Sequence, residues 1–201
     1  MSRLETAAKP FVRPMIFGES ISLEPAALGV VATWAAKTAT IAEYMNKSSR
    51  TVPVGNRRYL MEHQLPPPGT QVWLGRYPLD GSYGQIAQVP YQMGETPGVV
   101  GEGDRDTSWL PEDVPDASAA YNAQFTVISI SHVLFIVQMG PETIRYRRLG
   151  LHPIWPLPSG ALEWPPLIGT DMAVAVEFAN FIGGQLGAPK FRWRSGPATM
   201  D

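Results

Sequence analysis

Arg145, Tyr146, Arg147 and Arg148 stand together in the sequence and offer the chain's most pointed chemistry. On a strand, Arg145 and Arg147 share one face while Tyr146 turns to the other. Arginine forks match phosphate oxygens, and an aromatic side chain beside them can stack on a base. The four residues therefore read as a nucleic-acid-binding cluster, although pairing with acidic groups elsewhere in the chain is an equally simple use for them. Arg57 and Arg58, and Lys190, Arg192 and Arg194 near the end, are further basic groups expected to face solvent.

Residues 94–116 carry the opposite charge. Glu95, Glu102, Asp104, Asp106, Glu112, Asp113 and Asp116 face one base, Arg105, so the segment holds −6. The whole chain is −2, which leaves +4 for the remainder. Carboxylates suit calcium or magnesium. However, Gly101 to Asp106 lacks the glycine and glutamate spacing of an EF-hand, and a solvated acidic loop is the preferred reading. No metal site is assigned.

The chain has no cysteine and three histidines, His63, His132 and His152. Thiol nucleophiles, disulfides and thiolate metal sites are thereby excluded. Glu62 and His63 are adjacent, but helical neighbours point about 100° apart and form no dyad by themselves. His63 reads as a helix-end residue, His132 as a turn or core residue, and His152, before a proline, as open. There is no Gly-x-Ser-x-Gly elbow, P-loop, dinucleotide glycine fingerprint or His-Glu-x-x-His helix. No catalytic residue and no cofactor is assigned.

The elements that must position these groups follow from patterning. Ser2-Arg3-Leu4-Glu5 matches a capping box, so a short helix opens the chain, limited by Pro10 and Pro14. A cap at residue 2 also suggests a chain cut from something longer. From Leu23 to Met45, Leu28, Val31, Trp34, Ala35, Thr38, Ile41, Ala42 and Met45 recur at helical steps. Ser22 is the expected cap, and Trp34 is expected to be largely buried. A third helix spans about Val54 to Gln64 and stops at Pro66-Pro67-Pro68-Gly69.

Strands are expected at Gln71–Tyr77 and Gln85–Met93, the latter with Pro90 marking an edge or bulge. Phe125–Ile128 and Val133–Val137 read as a hairpin turning near Ser129–His132, or as one long bulged strand. The Trp155-Pro156 and Trp164-Pro165-Pro166 pairs bracket an extended segment. A last helix is capped by Thr170 or Asp171 and runs to about Ile182. The expected class is α+β, with N-terminal helices, a mainly antiparallel sheet and a C-terminal helix. Residues 1–187 form one domain with a long acidic loop at 94–116, and 188–201 form a flexible tail.

Composition agrees with a folded domain: 201 residues, 44% hydrophobic and 17% charged, with 19 glycines and 20 prolines supplying many turns. No apolar run reaches the roughly 18 residues of a membrane span, and the N-terminus has no secretory h-region. The expected setting is cytoplasmic.

Several segments, taken in order, resemble a known group. They are Met1-Ser2-Arg3-Leu4-Glu5 leading to Lys9-Pro10, Trp34-Ala35-Ala36-Lys37-Thr38-Ala39, Pro66 through Gly75, and the two Trp-Pro pairs. The order resembles the region downstream of the nuclease-like motif in bacterial, especially actinobacterial, HNH-type proteins. In those, a Cys-x-x-Cys-Asn knuckle lies just before a Trp-Met-Ser-x-Leu-Glu segment. The knuckle and its histidines are not in these 201 residues, so the resemblance transfers no catalytic residue. It implies a non-catalytic accessory or interaction domain, with nucleic acid (weakly, salt-sensitively) or a partner protein as ligand and no membrane. A small carboxylate–histidine hydrolase and a structural assembly protein are the alternatives.

Overall fold

The computed structural model describes residues 3–45, 51–76, 84–91, 123–140 and 151–166. Within them the order is α1 (Arg3–Ile16), β1 (Ile21–Leu23), α2 (Pro25–Ala42), a 3-10 turn (Glu43–Met45), α3 (Val54–His63), β2 (Gln71–Arg76), β3 (Gln85–Tyr91), β4 (Ala123–Ile130), β5 (Val133–Met139), β6 (Leu151–Trp155) and β7 (Leu162–Trp164). The class is α+β. The expected last helix, the acidic loop and the tail lie outside the described residues.

α1 runs through Pro10 and Pro14 instead of stopping at them. Each proline removes one backbone donor, but Ala8, Val12 and Met15 recur on one face and are buried. Holding that face in place outweighs the lost bonds. Two residues past the helix end, Gly18 turns the chain at a φ of 72°, which glycine adopts without strain. Its N–H reaches Met15 O at 3.1 Å, and the N–H of Glu19 reaches Pro14 O at 2.9 Å.

α2 starts at Pro25, with Glu24 and not Ser22 at the cap position. Ser22 is taken by β1, which pairs antiparallel with β7, and its hydroxyl donates to Glu163 Oε1 at 2.6 Å. α2 is buried almost all round, through Leu28, Val31, Ala32, Ala35, Ala36 and Ala39. Its threonines fit such a place because their hydroxyls bond back one turn: Thr33 to Gly29 O (2.7 Å), Thr38 to Trp34 O (2.9 Å) and Thr40 to Ala36 O (2.9 Å). Ile41 lies on the outer side, with Thr38 and Trp34 partly buried at the edge of the core. Ile41 is 51% exposed, and Trp34 is half-buried with its ring edge-on to Phe135 at 5.6 Å. α3 closes on Gln64, a residue in the left-handed region at φ 53°, two positions before the proline run.

Five strands form an antiparallel sheet in the order β3-β4-β5-β2-β6. β4 and β5 are two strands and not one: Ile130 pairs with Val133, and Ser131 turns the chain at φ 50°. β3, carrying Pro90, pairs only with β4 among the described residues, so the proline sits on an edge strand as expected. Val72, Leu74, Ile128, Phe135, Val137 and Ile154 join α1 and α2 in one core. The other face is buried too, with Trp73 stacked on Phe125 at 6.3 Å and Leu134 and Ile136 fully enclosed. Burial on both faces explains why these strands read as continuous apolar runs.

Candidate functional site

α2's buried stripe of Ala32, Ala36 and Ala39 continues at the same spacing to Glu43 in the 3-10 turn. A carboxylate thus arrives on the inner face of the fold and is only 1% exposed. A charge in such a place must be matched by hydrogen bonds and a counter-ion, and three donors do so. Glu43 Oε1 accepts from the backbone N–H groups of Thr51 and of Val52 (2.8 Å for Val52), while Oε2 accepts from Arg57 Nη2 at 2.6 Å. The Thr51 hydroxyl lies 3.3 Å from Oε1 and 3.0 Å from Gln124 Oε1. With two amides already serving Oε1, its single proton is better spent on Gln124.

The network then enters the sheet. Gln124 Nε2 donates to Thr126 Oγ1 at 2.8 Å, and Gln88 Nε2 donates to Ala39 O at 2.9 Å. One buried polar seam thereby ties the end of α2, residues 51–52, α3 and the β3–β4 edge. Both carboxylate oxygens of Glu43 are used inside it, which leaves a substrate nothing to approach.

Arg57 is the seam's outlet. Its side chain is 13% exposed, so the expectation of a solvent-facing residue is corrected, whereas Arg58 beside it is exposed. Nη1 donates to the Tyr44 hydroxyl at 2.7 Å, and the guanidinium lies 4.9 Å from the Tyr44 ring centroid. Tyr44 is 44% exposed, and Met61, one helical turn from Arg57, is 73% exposed. Leu65 follows just beyond the helix and is also exposed. A held arginine beside exposed tyrosine and methionine has the composition of a protein-docking surface.

Arg145, Tyr146, Arg147 and Arg148, the cluster that the sequence singles out, lie outside the described residues, as do the acidic segment and Lys190, Arg192 and Arg194. The histidines stand on separate elements. His63 ends α3, exposed, with its ring 4.3 Å from that of Tyr59, and it forms no dyad with Glu62, also exposed. His132 occupies the β4–β5 turn and packs on Gly18, where an added Cβ would come within 3.1 Å of its ring. His152 pairs opposite Leu74 on β6, and partial burial lowers its pKa below the ordinary 6.5. Among the described residues no three His, Asp or Glu side chains gather where they could hold a metal ion. No helix there is long and apolar enough to cross a membrane.

The Glu43–Arg57 pair is the feature that sequence reading missed. Only its acid was signalled: a lone acid on the apolar stripe of a helix needs a buried partner, which the stripe does not identify. No known protein family, curated protein or solved structure matches the chain.

Proposed function

We propose that this chain is a non-catalytic accessory domain of a bacterial HNH-like protein, working in the cytoplasm docked against the nuclease core. The observation that carries the reading is the Tyr44–Arg57–Met61 surface. Arg57 is fixed from beneath by a buried carboxylate, and fixing a side chain in advance lowers the ordering cost of binding. The partner assigned to this face is the nuclease-like polypeptide itself, because the resemblance puts the metal-binding knuckle immediately ahead of this region. A hydrolase would instead need acids and a histidine converging in one cleft, and the three described histidines occupy three separate elements.

Genomic sequence tests the connection. Reading in frame upstream of Met1 is expected to reveal a Cys-x-x-Cys-Asn segment. A stop codon with no such segment before it contradicts the nuclease link.

A further inference from the structure

α1 spends its apolar side on the core, and what remains is basic. Ala8, Val12 and Met15 are buried, while Arg3, Lys9 and Arg13 are exposed. The helix's own acid does not offset them, since Glu5 is bonded to Lys37 of α2 at 2.9 Å. Lys9 and Arg13 are four residues apart and so lie one turn from each other on the same side. Phe17 follows at the next turn, 63% exposed, with the Arg13 guanidinium 5.7 Å from its ring centroid. A shallow groove of about 500 Å³ runs beside them, lined by Lys9, Pro10, Arg13, Pro14 and, as its one acid, Glu19.

We propose that this face of α1 binds single-stranded nucleic acid, with Lys9 and Arg13 on phosphates and Phe17 stacked on a base. A row of cations ending in an exposed ring is the arrangement that holds a strand without reading its sequence. The Glu19 carboxylate repels phosphate and marks where the strand leaves the groove. A lipid surface fits less well, because an interfacial helix inserts its apolar face and here that face is already buried. A protein partner would want more apolar area than one phenylalanine. The proposal deepens the accessory reading by giving it a nucleic-acid surface. Binding is measured on the chain alone, so its failure and failure of the nuclease link read out separately.

The test is fluorescence anisotropy of the full chain with a labelled oligothymidine of about 12 nucleotides, within the site sizes such proteins cover, over a salt series. Two phosphate contacts give a log–log salt slope of about −1.4, at roughly 0.7 per contact on a single strand. Lys9→Ala with Arg13→Ala is expected to flatten the slope to near zero. Phe17→Ala is expected to weaken binding roughly 5- to 100-fold at an unchanged slope, the range for losing one stacked base. All three side chains are exposed, so circular dichroism and melting should match wild type in both variants. Absence of binding overturns the proposal. So does a slope that the double variant leaves alone, which would point to Arg145, Arg147 and Arg148. Equal binding to dextran sulfate with no effect of Phe17→Ala, or binding to phosphatidylserine vesicles without binding to the oligonucleotide, overturns it as well.

Discussion

Glu43 and Arg57 illustrate a residue whose role is set by its neighbours. Removing the arginine leaves a carboxylate buried without its counter-ion, which costs far more than the pair contributes as a whole. Arg57→Ala is therefore expected to lower stability by about 3–5 kcal/mol, measured by urea denaturation, while Arg58→Ala on the exposed side should stay within about 0.5 kcal/mol. Equal effects would show that the pair is not buried in solution. His152 makes the second prediction at this scale. Its folded pKa is depressed by burial, so the native state binds fewer protons than the unfolded chain. Its contribution is present above the unfolded value of 6.5 and is lost as the pH falls through the lower folded value. Between about pH 7.5 and pH 5 wild type should lose more stability than His152→Gln; parallel melting curves at the two pH values would refute the assignment. Neither pairing could be read from the sequence, because Glu43 and Arg57 meet only when α3 folds back against the end of α2, and His152 is half-buried only once β6 joins β2.

At the scale of elements, α2 was legible in extent and, for most of its inner face, in orientation. The apolar steps place Leu28, Val31, Ala35 and Ala42 inside, where they are buried, but Ile41 is exposed and Trp34 and Thr38 are only partly buried. A helix that is apolar all round gives little contrast from which to read its rotation. The consequence is a reversal of size order. Leu28→Ala, at 0% exposure, is expected to cost about 2–5 kcal/mol, and Trp34→Ala about 2 kcal/mol, below the range for a fully enclosed aromatic. Chemical denaturation of the two variants decides this, and a larger loss at Trp34 would show it to be as enclosed as Leu28. β4 and β5 were easier, since apolar runs of that length fit strands shut on both faces. Their turn lacks an Asn-Gly pair, and only the geometry at Ser131 separates a hairpin from one bulged strand. Pro10 and Pro14 misled for a tertiary reason: a local rule against prolines in helices yields when the buried face spans both of them.

For the whole molecule, composition and element order sufficed for the α+β class but not for the sheet order. β2 lies between β5 and β6, pairings made across tens of residues that depend on which faces pack and not on any local signal. The charge pattern reads the same way. A chain of −2 overall presents a basic helix face at α1 and an arginine-centred apolar face at α3, neither visible in a net charge. The central claim, that the α3 face docks the nuclease-like polypeptide, is tested most directly by isothermal titration of this chain with that polypeptide. Wild type is expected to bind, and Tyr44→Ala and Met61→Asp, both at exposed positions, are each expected to weaken binding about tenfold or more, as anchoring residues do. An affinity unchanged by both substitutions, or no heat of binding from a correctly folded chain, would contradict the account.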